Sequence, residues 1–183
     1  MSYFRTQKPI LNNWMVGACF CLIAPLALAE TPANATPTSA LTVGSPFPTL
    51  TLTDQHDKPV ILPGVAHAIL FANAKAVDEW VNPVLTEMGQ ANLSARQVIY
   101  LSDISRMPWM VSKLIALPQM RERNYSAALI RDDQEKAGMP IPAKGCADLL
   151  RLKAGVVESI QSVCTPAELK TQLEALPAMA PIK

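Results

Sequence analysis

Residues 70–85 have the sequence LFANAKAVDEWVNPVL, in which a short apolar run gives way to a stretch with helical periodicity. The run Ala68–Phe71 is apolar throughout, which is typical of a strand buried on both faces. From Val77 to Met88 the apolar residues recur every three or four positions, and this spacing predicts an amphipathic helix. Pro83 lies inside that helix and predicts a kink there. A buried strand that leads into a helix is typical of α/β folds.

The same two patterns alternate along the rest of the chain. Further strands are predicted at Thr49–Thr53, Pro59–Leu62, Val98–Leu101 and Ala127–Ile130. Ser105 is expected to cap another helix, with Pro108 in the tolerated first turn. The apolar residues of this helix that we expect to face inward are Met110, Val111, Leu114 and Ile115. The alternation predicts a mixed central β-sheet flanked by helices.

The C-terminal part has the signals of a β-hairpin followed by a helix. Two apolar runs, Asp148–Leu152 and Val156–Val163, flank the turn Lys153-Ala154-Gly155. Thr165 and Glu168 have the spacing of a capping box, which predicts that the last helix begins there.

The first 29 residues have the features of a secretion signal. Arg5 and Lys8 precede an apolar run that ends in Ala27-Leu28-Ala29, the small-x-small pattern that a signal peptidase cleaves. We therefore expect residues 1–29 to be removed on export and the protein to be periplasmic. Val16-Gly17-Ala18-Cys19 loosely fits a lipobox, so lipid anchoring at Cys19 remains an alternative.

Residues 30–40, ETPANATPTSA, lack large apolar side chains and are predicted to form a linker before a single domain at 41–183. Removal of the signal takes away two of the 16 basic residues and none of the 15 acidic ones. The remaining charge is nearly balanced, which predicts no nucleic-acid binding and no charge-driven binding to a membrane surface. We also expect no membrane span after cleavage.

Residues 70–85 resemble the active-site region of thioredoxins and their exported relatives. In that family a buried strand ends in Phe-Trp-Ala, Cys-x-x-Cys opens the next helix, and a kink-forming proline follows four residues later. The present sequence aligns without a gap, with Pro83 at the proline. Ala147–Leu176 is similar to the family's last hairpin and helix, and Val43–Leu50 with Asp54 resembles the entry segment of the peroxiredoxin and exported disulfide-reductase branch. The resemblance implies a thioredoxin-like α/β fold.

The resemblance also implies that the family's functional positions are degenerate here. Lys75 and Asp78 stand where the two cysteines belong, and Ala147 stands where the family has a cis-proline. Because thiol–disulfide exchange needs a thiolate, classical thioredoxin or peroxidase chemistry is excluded at this site. A non-proline cis bond is costly, so we expect a trans peptide before Ala147 and a remodelled groove.

Cys146 and Cys164 are the only cysteines that remain after the expected cleavage. A hairpin centred on Gly155 places them opposite each other, within the Cα separation that a disulfide spans. In an oxidising compartment we expect them to be bridged. The alternative is that Cys146 is free beside Lys75.

Other chemical patterns in the sequence are weak. His56 and His67 lack the spacing of metal ligands or of a catalytic triad. The methionines within residues 107–110 are soft-metal ligands in principle, but we interpret them as core residues. Asp132–Glu135 is interpreted as a solvated turn and Arg121-Glu122-Arg123 as an exposed helix end. We predict no catalytic residue, no metal site and no cofactor.

These observations favour a non-catalytic binding module of the cell envelope, whose partner is an unknown envelope protein or peptide. The alternative is an unconventional thiol–disulfide role through Cys146 and Cys164.

Overall fold

The computed structural model describes residues 41–179, so the expected signal (1–29) and linker (30–40) lie outside the described residues. The strands are β1 (Leu50–Asp54), β2 (Pro59–Leu62), β3 (Ala68–Ala72), β4 (Val98–Asp103), β5 (Ala127–Ile130), β6 (Ala147–Lys153) and β7 (Val156–Val163). The helices are α1 (Lys75–Ala95), α2 (Trp109–Val111), α3 (Leu117–Arg121) and α4 (Pro166–Glu174), and a π-helical stretch, Ser112–Ala116, joins α2 to α3.

The seven strands form one sheet in the order β2-β1-β5-β4-β3-β6-β7. The neighbours β3, β4 and β5 are parallel, whereas β1, β2, β6 and β7 are attached by antiparallel pairing. Parallel neighbours need crossover connections, and α1 together with the helical segment after β4 supplies them. The predicted class, a mixed sheet flanked by helices with a C-terminal hairpin and helix, is confirmed.

Strand β3, which lies between β4 and β6, separates two apolar layers. All five of its residues are buried. Leu70 points into a cluster formed with the inner faces of α1 and α4. Its neighbours Ile69 and Phe71 point into a second cluster, which the entry segment covers with Leu41 and Phe47. Because successive side chains of a strand alternate between its two faces, an unbroken apolar run is required at this position.

Helix α1 departs from helical backbone geometry at Gly89, where φ is 70°, and not at Pro83. Pro83 keeps helical backbone angles, and the kink expected there stays a prediction. A proline removes one hydrogen bond but keeps a helical φ, whereas a glycine adopts a positive φ without the steric cost of a Cβ. The predicted end of the helix at Met88 coincides with this break.

The segment after β4 differs most from the prediction. A continuous helix runs from residue 109 to residue 121 and begins after Pro108, not at a Ser105 cap. The four apolar residues predicted to face inward, Met110, Val111, Leu114 and Ile115, are exposed. That prediction was wrong because the contact with the core is already filled, by Met120 together with Met107 and Leu117. Apolar spacing reveals a stripe but not which side of the helix packs.

The hairpin of β6 and β7 has a two-residue turn at Ala154 and Gly155, both with positive φ. Next to this turn, Leu152 pairs with Val157. Arg151, which precedes Leu152 in β6, pairs with Ser159. One residue of β7, between Val157 and Ser159, is therefore left without a partner. That extra residue is a β-bulge, which shifts the register of the remaining hairpin by one position.

This shift brings Cys146 opposite Cys164. Without it, Cys164 would stand opposite Gly145, and the side chain would point to the wrong face. The two cysteines form a disulfide with a Cα–Cα distance of 4.1 Å. The predicted bridge is therefore confirmed, although the register that aligns it comes from the bulge as well as from the turn.

The disulfide should stabilise the domain by constraining the unfolded chain. The bridged residues are 18 positions apart, and a loop of this length corresponds to about 3 kcal/mol. Denaturant unfolding of oxidised and reduced protein should therefore show a lower midpoint for the reduced form. The Cys146→Ser/Cys164→Ser variant should have the same midpoint as the reduced protein, and reductant should not change that midpoint. Equal midpoints for oxidised and reduced protein would contradict this.

Candidate functional site

The candidate site lies where the carboxyl ends of β3 and β4 meet the start of α1. Parallel strands end at one edge of the sheet, so this edge collects the loops that follow them. A cleft of about 380 Å³ opens there. Its walls are the first two turns of α1, the end of β4 and the inner side of the 109–121 helix. Lys75, Asp78, Asp103, Gln119 and Arg123 are among its lining residues.

Asp78 is held by two partners inside this cleft. The Arg123 guanidinium lies 2.7 Å from Oδ2 of Asp78, and the Tyr100 hydroxyl donates a hydrogen bond to Oδ1. The side chains of Asp78 and Arg123 are only 21% and 14% exposed. An ion pair that is so little exposed to solvent is much stronger than a surface pair. Removal of one partner leaves a buried charge unpaired. Asp78 therefore serves as a fixed counter-ion.

A second tyrosine completes the cluster. Tyr125 packs edge-to-face against Tyr100 with 6.1 Å between ring centroids, and it donates a hydrogen bond of 2.8 Å to Asn82. The Arg123 guanidinium carbon lies 5.8 Å from the centre of the Tyr125 ring, a cation–π distance. Asn82 lies one helical turn after Asp78, so one face of α1 holds both ends of the cluster.

Burial controls the ionisation of this cluster. Burial, together with the neighbouring Asp78 carboxylate, raises the pKa of Tyr100 well above its usual value. Burial also raises the pKa of Tyr125 to about 12. Burial disfavours the charge on Arg123, but Asp78 outweighs that effect and raises the pKa of Arg123. Both tyrosines therefore remain neutral hydrogen-bond donors across the physiological range.

Lys75, in contrast to Asp78, is exposed to solvent. Its side chain is 78% exposed and lies 3.8 Å from Glu79, one turn along α1. Exposed pairs of this kind contribute little to stability. Lys75 thus places a hydrated cation at the rim of the cleft, with no group positioned to make it a nucleophile among residues 41–179.

Asp103 ends β4 beneath the cleft. Its side chain is fully buried, contacts Lys136 and accepts hydrogen bonds from the backbone and hydroxyl of Ser105. Burial opposes ionisation of Asp103, but the bonds from Lys136 and Ser105 outweigh it and lower the pKa of this carboxyl. Asp103 therefore fixes the loop that leads into the 109–121 helix.

Ala147 lies at the same edge of the sheet. The β3–β6 register pairs Phe71 with Asp148, so Ala147 stands level with Ala72, just before α1 begins. Among residues 41–179 the only cis peptide bond is Leu62–Pro63, so the bond before Ala147 is trans, as we expected. The structure thus brings Ala147 to the edge that also holds Lys75 and Asp78. That these three positions correspond to the family's cysteines and cis-proline remains a prediction.

The cleft continues into a second cleft, which lies between the start of α1 and the 109–121 helix. This neighbour has a volume of about 370 Å³ and shares Lys75, Met107 and Gln119 with the first. Val111 and Ile115 add apolar walls, which are more extensive here than the polar ones. The two clefts together are named the Lys75 groove below. Neither cysteine lines it within the part of the chain that the structure describes.

Sequence reasoning missed most of the polar cluster. Arg123 was expected on an exposed helix end, but it is mostly buried against Asp78, so that interpretation was wrong. Tyr100 lies within a predicted buried strand, where a tyrosine hydroxyl needs a partner. That requirement is a sequence signal for a polar partner, but it does not indicate which element supplies the partner. Asp78 and Arg123 are 45 residues apart in the sequence, so no local pattern predicts their ion pair.

Loss of the Arg123 guanidinium should destabilise the fold. Arg123→Met removes the counter-ion of a mostly buried carboxylate, and the free energy of unfolding should fall by roughly 2–4 kcal/mol. Lys75→Met is the matched control, because its exposed pair should be worth at most about 0.5 kcal/mol. Denaturant unfolding measures both. Equal losses for the two variants would show that the Asp78 pair is not a structural lock.

The two buried tyrosines make the fold sensitive to alkali. A fragment of residues 36–183 contains two tyrosines, Tyr100 and Tyr125. Its tyrosinate absorbance therefore reports this cluster alone. Ordinary tyrosine ionises near 10, whereas Tyr125 ionises at about 12 in the fold. The stabilisation is complete below pH 10 and is lost as the pH rises from 10 through about 12. Native protein should therefore lack tyrosinate near pH 10.5, and denatured protein should show it; equal titration curves would contradict the assignment.

The described residues hold neither a cluster of metal ligands nor a membrane-spanning helix. Within residues 41–179 no group of three or more His, Cys, Asp or Glu side chains is placed to hold a metal ion. In the same range, no helix has both the length and the apolar character needed to cross a membrane.

Comparisons with known proteins agree with the geometry. No protein-family model matches the sequence, and no curated protein matches it. Among solved structures, a thio-disulfide isomerase from Thermus thermophilus is similar with a TM-score of 0.51 at 15% identity, covering 76% of this chain and 100% of the other. The peroxidoxin BcpB from Mycobacterium tuberculosis is similar with a TM-score of 0.51 at 14% identity, covering 77% and 99%. The chain therefore has the fold of the thioredoxin-like superfamily.

Proposed function

We propose that this chain is a non-catalytic thioredoxin-like binding module of the cell envelope. The proposal rests on the side chains in the first turn of α1. In place of thiols this turn holds a solvated Lys75 and an Asp78 that is locked by Arg123 and Tyr100. A carboxylate fixed as a counter-ion is a poor base, and no thiolate is present in that turn to attack a disulfide.

The Lys75 groove supplies the surface for binding. It is concave and largely apolar at Met107, Val111 and Ile115, and it has polar groups at its rim. This combination is typical of a site that recognises a ligand by shape and a few hydrogen bonds. Its two connected clefts favour an extended ligand, so the proposed partner is a peptide segment of an envelope protein.

The cellular location is part of the proposal. The apolar run that ends in Ala27-Leu28-Ala29 supports export, and a disulfide between Cys146 and Cys164 suits an oxidising compartment such as the periplasm.

Site-specific photo-cross-linking in cells tests the groove. The full chain with a photoreactive residue at Gln119, an exposed position of the groove, should form an adduct of defined mass with an envelope protein. Gln134 is the matched control, because it is exposed but lies in a turn away from the groove. Ile115→Glu should abolish the Gln119 adduct. Identical adducts from the two positions, or none from Gln119, would contradict the proposal.

A second candidate function is thiol–disulfide exchange through the terminal hairpin. The observation that favours it is that Cys164 is exposed while Cys146 is buried. An external thiolate can therefore reach the Cys164 sulfur, form a mixed disulfide there and release Cys146 as the thiolate.

Insulin reduction distinguishes the two functions. The binding module should show no rate above the thiol donor alone, and Cys146→Ser/Cys164→Ser should keep the Gln119 adduct. A rate comparable to that of thioredoxin, lost in the same double variant, would establish the second function instead.

A further inference from the structure

The outer side of the 109–121 helix has an inverted distribution of side chains. The small residues Ser112 and Ala116 lie on the half-buried inner side. Large apolar residues face solvent instead, with Trp109 70% and Leu114 65% exposed and Met110 beside them. Exposed apolar residues that cluster in this way mark an interaction surface. Trp109, Met110 and Leu114 are called the outer patch below.

Positive charge surrounds the outer patch. From Ile104 to Arg121 the sequence contains three basic residues and no acidic residue. Arg106 and Lys113 are both exposed, and neither forms a salt bridge or side-chain hydrogen bond within residues 41–179. The near balance of charge over the whole chain therefore conceals a local basic surface.

A cavity of about 530 Å³ joins the charge to the apolar patch. Lys113, Arg121 and Arg131 contribute cations to its lining, and Asp57 contributes the only acidic group there among the described residues. Arg121 and Arg131 both contact Asp57, at 2.8 Å and 3.2 Å, and so one carboxylate is shared between two guanidinium groups. The cavity retains an excess of positive charge.

Trp109 and Leu114 from the outer patch line the same cavity. A ligand that fits this surface must carry negative charge next to a large apolar part. An anionic phospholipid has this combination, with its phosphate placed for the cations and its acyl chains for the outer patch.

We infer that the outer side of the 109–121 helix docks onto an anionic membrane surface. Trp109 lies at the boundary between headgroups and acyl chains, where tryptophan is enriched. The phosphate of an anionic headgroup lies near Lys113, Arg121 and Arg131. The contact is peripheral, because only one short helix is involved.

A second copy of the chain is a poorer fit to this surface. A stable interface between two proteins buries about 800 Å² on each partner and tolerates few unpaired charges at its centre. The outer patch consists of three side chains interleaved with cations, and like charges would meet across a symmetric contact. A lipid headgroup supplies the opposite charge directly.

Docking also has a consequence for the Lys75 groove. Val111 and Ile115 belong to that groove and come from the same helix as the outer patch. The membrane surface therefore lies beside the groove, and a partner is recognised close to the lipid surface.

Vesicle co-sedimentation tests this inference. The fragment from Thr36 to Lys183, which forms a compact unit and lacks the apolar N-terminal run, is mixed with two kinds of vesicle. One kind is phosphatidylcholine alone; the other contains roughly one-third phosphatidylglycerol. Binding should be at least about tenfold tighter to the phosphatidylglycerol vesicles and should weaken as salt screens the charges. Tryptophan emission should shift to shorter wavelength on binding, and the shift should persist in Trp80→Phe.

Two variants and two controls assign the contact. Trp109→Ala/Leu114→Ala and Lys113→Glu should each weaken vesicle binding about tenfold or more. Ile61→Ala/Ile141→Ala and Lys153→Glu change equally exposed residues elsewhere and should bind like the parent fragment. Thermal unfolding checks that each variant is folded, as expected for exposed positions.

Three results would overturn the inference. The first is no preference for phosphatidylglycerol. The second is equal loss of binding in the controls. The third is a dimer or a complex with an envelope protein that forms without lipid and disappears in Trp109→Ala/Leu114→Ala, since the patch would then belong to a protein partner.

Discussion

The fold depends on the burial of β3 on both faces. Because Leu70 contacts one apolar layer while Ile69 and Phe71 contact the other, the strand must lie in the interior of the sheet, between β4 and β6. Parallel pairing with β4 then fixes the edge at which both strands end, and α1 must begin there. The candidate site lies at that edge, since loops at the carboxyl ends of parallel strands form the sites of such folds.

An ion pair and its hydrogen bonds fix the side chains at that edge. Asp78 is bound to Arg123 and Tyr100, so its position at the start of α1 contributes to stability. The two cysteines of the described residues form a bridge that braces the terminal hairpin. A rigid edge, an apolar groove beside it and a first turn of α1 without cysteine are the observations that support the proposed binding role.

The sequence predicted the architecture better than the site, for physical reasons. Burial of β3 and the position of the terminal hairpin's turn are local properties, and apolar runs and turn residues reveal them. The contact of Asp78 with Arg123 joins residues far apart in the chain, so no local pattern reveals it. The inward face of the 109–121 helix was predicted wrongly, since residues outside the helix, such as Met107, fill the core contact. The bulge between Arg151 and Leu152 also had no sequence signal, although the disulfide depends on it.

We propose that Lys75 and Asp78 occupy the two thiol positions of a thioredoxin-like scaffold. The direct measurement is disulfide mapping of the oxidised Lys75→Cys/Asp78→Cys variant, made with Arg123→Met so that no unpaired cation is left. We expect a new disulfide between positions 75 and 78, retention of Cys146–Cys164, and a rate of insulin reduction above that of the parent protein. Two introduced thiols that stay free under oxidation, or that bridge only to Cys146 or Cys164, would contradict it.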